Sequence, residues 1–228
     1  MSYIDENFQL VQENIKKACE KVQRSPDVQI VAVTKYVSLE TTRLALAAGI
    51  QHLGESKSQD AIAKWKALGD QAVWHFIGHL QTNKVRDIIG KFTYVHSLDR
   101  YSLAAELSKR GQQIQAVTRC FVQVNISGEE SKHGIKPGDA ASFIREINHM
   151  PAIELVGLMT MAPYVSDAEE TRWIFRSLRE LRDELRQEFP QIPLTHLSMG
   201  MSNDYQVAVE EGATFIRLGS TLVGDERN

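Results

Sequence analysis

Hydrophobic and polar positions along the chain switch between two periods. Phe8, Val11, Ile15, Ala18, Cys19 and Val22 recur at helical spacing, so the chain is predicted to open with a helix. Short apolar runs then alternate with helical ones. IVAVTK (30–35) precedes a helix around 39–49 that stops at Gly49, and HLGES (52–56) precedes DAIAKWKAL. WHFIG (74–78) precedes a helix starting near Asn83, and YVHSL (94–98) precedes RYSLAAELSKRG. CFVQVNIS (120–127) leads through a loop to PGDAASFIREIN, and LVGLMTM (155–161) leads to a long helix. LTHLSMGMS (194–202) precedes a short helix ending at Gly212, and FIRLGS (215–220) closes the series. Ser166 and Glu169 have capping-box spacing at the start of the long helix, where Ile174, Phe175, Leu178, Leu181 and Leu185 form one apolar stripe.

Eight strands alternating with helices imply a parallel sheet with helical crossovers. The expected α/β fold is a single (β/α)8 TIM barrel with an extra N-terminal helix, one domain over residues 1–228. An open doubly wound sheet would favour a Gly-x-Gly-x-x-Gly turn after the first strand, where this chain has Thr34-Lys35-Tyr36-Val37. The chain ends eight residues after Ser220, so no second domain is expected beyond the barrel.

Composition narrows the function classes. At 43% hydrophobic, 24% charged and a formal net charge of −3, the chain is an ordinary globular one with no basic field to draw it to nucleic acid or an anionic membrane. The N-terminus has no signal-peptide core, and no run approaches a membrane span. Cys19 and Cys120 lack metal-ligand spacing and are read as packing residues in a reducing cytoplasm.

Active sites of such barrels form at the C-terminal strand ends. Read by position, that rim gathers Lys35, Gly54, Glu55, Ser56, Gly78, His79, Asn125, Ser127, Met159 and Thr160, then Gly200, Met201 and Ser202, and finally Gly219, Ser220 and Thr221. A lysine after an apolar run ordinarily reaches water. Pointed into a pocket, it becomes a nucleophile for carbonyls. SMGMSND and RLGST fall after strands seven and eight, where barrels commonly bind phosphate. Glycines there let backbone amides approach, hydroxyls are present, and helix N-termini are expected to follow. Arg217 alternates with Ile216 and Leu218, so it faces opposite them. Its partner is either a core carboxylate or a ring nitrogen of a bound cofactor. Lysine, arginine and paired phosphate turns converge on pyridoxal 5′-phosphate, with a phosphosugar aldolase as the competing reading.

WHFIGHLQTNKV (74–85) closely resembles the signature of the pyridoxal-phosphate homeostasis (YggS-like) proteins. AVTK (32–35), GLMTM (157–161), HLSMGMSND (196–204) and FIRLGS (215–220) match that family in order, over essentially the whole chain. The resemblance implies a barrel similar to the N-terminal domain of alanine racemase, with pyridoxal phosphate held as a Schiff base on Lys35. It places the phosphate on Ser198, Gly200, Met201 and Ser202 with Gly219 and Ser220, and the ring nitrogen at Arg217. Ser56 stands where the family commonly has asparagine; with His75, Asn125 and Met159 it completes the candidate set. The implied function is a monomeric carrier or buffer of the cofactor that supports vitamin B6 and amino-acid balance, with apo forms of cofactor-dependent enzymes as partners and no enzymatic turnover. The alternative is an amino-acid racemase on the same cofactor. That reaction needs a second acid–base group opposite Lys35, and an arginine partner leaves the ring nitrogen a poorer electron sink.

Overall fold

The structure is a computed structural model that describes residues 2–227. Its eight strands are β1 (Gln29–Val33), β2 (His52–Glu55), β3 (Val73–Phe76), β4 (Tyr94–Leu98), β5 (Thr118–Gln123), β6 (Ile153–Met159), β7 (His196–Ser198) and β8 (Phe215–Leu218). Each pairs in parallel with the next, and β1 pairs with β8 through Ile30 opposite Ile216 and Val31 opposite Arg217, so the sheet closes on itself. This is the expected (β/α)8 barrel. The helices are α1 (Tyr3–Lys21), α2 (Leu39–Ala47), α3 (Ser58–Leu68), α4 (Val85–Ile88), α5 (Tyr101–Ile114), α6 (Ala140–Ile147), α7 (Arg172–Glu188) and α8 (Tyr205–Glu210).

Seven of these helices are crossovers between consecutive strands. β8 is followed by a turn over Gly219–Val223, where the sequence suggested a helix start. The leading helix takes the vacant place in the ring. α1 is opened by a capping box between Ser2 and Asp5, and it buries Ile4, Val11, Ile15, Ala18 and Cys19. Asn7 donates to the Leu222 carbonyl and Asn14 to the Tyr205 hydroxyl, while Lys21 pairs with Glu210 at 2.9 Å. Val22, at the helix end, is exposed.

Strand boundaries differ from expectation at the C-terminal rim. β5 stops at Gln123 and β7 covers three residues, so Asn125, Ser127 and Gly200–Ser202 lie in loops. β1 likewise stops two residues before Lys35. The long helix is not capped by Ser166; Asp167 accepts from the Glu169 N–H, and a 3-10 turn (Ala168–Thr171) precedes α7. Gly157 in β6 has a packing reason: a Cβ there would overlap the His196 carbonyl of β7.

Most apolar side chains lie between the barrel and its helices, as the alternation of each strand demands. A second cluster of Val31, Phe121, Val156, Met159 and Phe215 fills part of the barrel interior. The rest of that interior is polar. His75, His96, Ser198 and Arg217 are all buried there. Both cysteines are buried, and burial pushes the Cys120 thiol upward. No helix among the described residues is long and apolar enough to cross a membrane.

Candidate functional site

Lys35 sits in a turn just past β1, closed by a hydrogen bond from the Val37 N–H to the Thr34 carbonyl. The turn is fastened from beneath. Lys64 of α3 and Glu55 of β2 form a buried ion pair at 2.9 Å, and the Lys64 ammonium also donates to the Thr34 carbonyl. Thr34 Oγ1 donates to the same Glu55 oxygen at 2.6 Å. Two charged side chains thus fix the residue before Lys35 and leave Lys35 itself partly open. Its Nζ lies 4.8 Å from the centroid of the Tyr36 ring, and the Arg227 guanidinium lies 3.6 Å from the same centroid.

Arg217 rises from β8 to the floor of the same opening. It is 4% exposed, and burial pulls its guanidinium down to about 10, with the Asp204 carboxylate working in the other direction. Nη1 donates to Ser198 Oγ at 2.6 Å and Nη2 to the Thr160 carbonyl at 3.0 Å. Of the two partners considered from sequence, a carboxylate in hydrogen-bond contact is not found among the described residues. A hydroxyl and a carbonyl hold the group instead.

The loops after β7 and β8 meet above Arg217. Gly200 adopts φ +93°, and a Cβ there would come within 2.6 Å of the Ala208 Cβ, so only glycine makes this turn without strain. Ser202 Oγ accepts from the Thr221 N–H at 3.3 Å, which joins the two loops and leaves the hydroxyl hydrogen able to donate elsewhere. Asp204 accepts from the Met201 N–H at 2.6 Å, and burial raises its carboxyl.

Lys35, Arg217, Met201, Ser202, Gly219 and Ser220 together line one cleft of about 340 Å³. That is within the range of roughly 300–1,000 Å³ usual for small-ligand sites. Tyr36, Met161, Pro163, Tyr164, Asp204, Asp225 and Arg227 are also in its walls. Sequence reasoning did not single these out. Most lie beyond the strand ends, in loops that only the closed ring brings together.

The other candidates stand elsewhere. Ser198 is fully buried beneath the cleft, its hydroxyl occupied by Arg217 and His96, so it supports the floor and does not line the cleft. Gly200 is a buried turn residue, and Met201, whose amide is already taken by Asp204, lines the cleft. His75 is fully buried, with both ring nitrogens bonded to other histidines. Met159 packs in the interior apolar cluster. Asn125 closes its own loop, donating to the Glu129 and Lys132 carbonyls. Ser56 faces a separate depression with Gln81 and Lys84.

His79, Asp99 and His133 bring ligand atoms within 4.8 Å of one another on the same rim. Arg100 already pairs with Asp99 at 2.7 Å, which sets a guanidinium against any cation there.

The family model described as alanine racemase, N-terminal domain, matches residues 7–227. The pyridoxal phosphate homeostasis protein of Aquifex aeolicus is 42% identical over 224 residues, covering 97% of this chain and 98% of the relative. The protein of that name from Schizosaccharomyces pombe is 32% identical, covering 98% and 93%. Among solved structures, PipY of Synechococcus elongatus with PLP bound superposes with a TM-score of 0.84 at 36% identity, over 97% of this chain and all of that one. An alanine racemase of Clostridium difficile reaches a TM-score of 0.73 at 17% identity, with 56% of its length covered, a likeness of fold alone.

Proposed function

This chain belongs to the alanine racemase N-terminal domain family, and within it to the pyridoxal phosphate homeostasis proteins; from that premise we propose that it binds pyridoxal 5′-phosphate and carries or buffers it for apo-enzymes. The reading takes it as one cytoplasmic domain over residues 1–228, acting as a monomer and without turnover of its own.

One observation carries the proposal: a single cleft of about 340 Å³ holds an amine, a guanidinium and two hydroxyl-bearing loops. These are the groups that an aldehyde, a pyridine nitrogen and a phosphate would each require. Lys35 would hold the aldehyde carbon covalently. Arg217 would meet the ring nitrogen as a donor, since it remains a cation at neutral pH. Ser202 and Ser220 would donate to phosphate oxygens, each such bond to a charged group contributing roughly 1.5–3 kcal/mol. When bound, the cofactor supplies a carbonyl electrophile conjugated to an electron-accepting ring.

Transfer tests the reading. The loaded protein is mixed with an apo-enzyme that needs pyridoxal phosphate, and recovery of activity is timed against release of cofactor into buffer containing a scavenger. Recovery faster than free release is the expected result. Equal rates would reduce the protein to a passive reservoir. Racemase turnover at roughly 1 per second or more, an ordinary enzymatic rate, would replace the proposal with the enzyme reading.

A further inference from the structure

Three imidazoles line up inside the barrel, and the functions above use none of them. His52 Nδ1 lies 2.8 Å from His75 Nε2, and His75 Nδ1 lies 2.9 Å from His96 Nε2. His96 Nδ1 lies 2.7 Å from Ser198 Oγ, which in turn is 2.6 Å from Arg217 Nη1. The chain of contacts runs from half-buried His52, at the start of β2, to the floor of the cleft. We propose that His52, His75 and His96 form, through Ser198, a one-way hydrogen-bond chain that positions Arg217, each imidazole locked as the neutral tautomer with its proton on Nε2.

The direction follows from counting donors. A guanidinium can only donate, so Ser198 Oγ accepts from Arg217. The buried serine also has one hydrogen to place, and its other hydrogen-bonded side-chain neighbour is His96 Nδ1, so satisfying that hydrogen makes Nδ1 the acceptor. A neutral His96 then carries its proton on Nε2 and donates to His75 Nδ1. The same logic passes the donor role to His75 Nε2 and on to His52. With Arg217 charged and the buried serine hydrogen satisfied, every link runs in the same direction.

The surroundings favour neutral rings. Burial pushes both His75 and His96 well below the ordinary histidine range, with like charges adding to it: His96 and His52 act on His75, and Arg217 and His52 act on His96. Tyr94 of β4 stacks on His75 at 4.5 Å, and Phe121 of β5 on His96 at 4.4 Å, so the rings cannot turn freely. The charged pair nearest Tyr94 is Arg119 with Glu154; no carboxylate is hydrogen-bonded to His75 or His96 among the described residues. Buried networks of this kind are worth most when every member is satisfied, and here each link has its partner.

Only the last link depends on pyridoxal phosphate being the ligand, and the test separates the two ideas. In the cofactor-free wild type, nitrogen-15 NMR of labelled histidines reads the tautomer directly. His75 and His96 should show the Nε2-protonated neutral form with no titration in the ordinary histidine range. A proton on Nδ1, or titration near the ordinary value of about 6.5, would overturn the chain. Two variants test the positioning role. His96→Leu removes the acceptor for Ser198, whereas His96→Asn keeps an oxygen close to the Nδ1 position. After loading, the leucine variant should retain the borohydride-trapped adduct on Lys35 but shift the absorption maximum of the bound cofactor, and the asparagine variant should restore it. An unshifted spectrum in folded, loaded His96→Leu would overturn positioning. Failure of the wild type to load would sink the cofactor reading and leave the NMR result standing.

Discussion

Replacing Lys35 by alanine is expected to abolish covalent attachment of pyridoxal phosphate altogether. The wild-type protein, incubated with the cofactor and reduced with borohydride, should yield one labelled peptide containing Lys35. The variant should yield none from the cleft. The reason is geometric. Among the lysines, Lys35 is the one that shares the cleft with Arg217, Ser202 and Ser220. Lys64, which holds the residue before Lys35, has its ammonium buried against Glu55 and the Thr34 carbonyl, and Lys132 pairs with Glu129 at 2.7 Å. Arg217 and the serines persist in the variant, so residual non-covalent binding is expected, with the absorption of the free aldehyde. An adduct trapped in the Lys35→Ala cleft at any other residue would remove Lys35 from its role.

The second large effect falls on stability. Lys64→Met should strand the Glu55 carboxylate, which is fully buried and has one oxygen, Oε2, without any partner even in the intact protein. Removing one member of a buried ion pair costs roughly 3–5 kcal/mol. For a chain of this size each kcal/mol shifts the melting temperature by roughly 2–4 °C, so a fall of roughly 6–20 °C is expected in calorimetry. The double variant Lys64→Met with Glu55→Met should recover much of it, because both charges go together. A single variant that melts within a degree or two of wild type would show that Glu55 is not held as a buried carboxylate. Since Lys64 also holds the Thr34 carbonyl, the single variant should load cofactor more slowly at temperatures where it is still folded.

The barrel was legible because period and order agree: eight apolar runs, each followed by a helical stripe, leave few ways to pack. Arg217 was legible for a related reason, as a charge set between Ile216 and Leu218 on a strand. The same test does not single out His96, which has Val95 on one side but polar Ser97 on the other. What no run of residues discloses is that β3, β4, β7 and β8 aim their polar positions at one another. That depends on register around the closed ring, as does the meeting of Ser202 with Thr221. The same limit explains Ser198. Its place in a glycine-rich motif resembles a phosphate contact, but the strand continues through it and its hydroxyl turns inward. The C-terminal residues Asp225 and Arg227 were invisible as site residues because their sequence carries no pattern; they reach the cleft wall as the tail folds back, where the Glu226 N–H donates to the Tyr36 carbonyl.

The buried histidines also make the fold answerable to acid. His75 and His96 are held neutral when folded, whereas in an unfolded chain each takes up a proton near pH 6.5. Below that pH the unfolded state binds protons that the native state refuses. The stability they help preserve is therefore present above about pH 6.5 and drains away as the pH falls toward the lower folded values. Because both rings act in the same direction, the pair should steepen the loss, measurable as a falling denaturant midpoint as the pH drops below about 6.5. Acidification would thus weaken the fold at a pH where Arg217 still carries its charge.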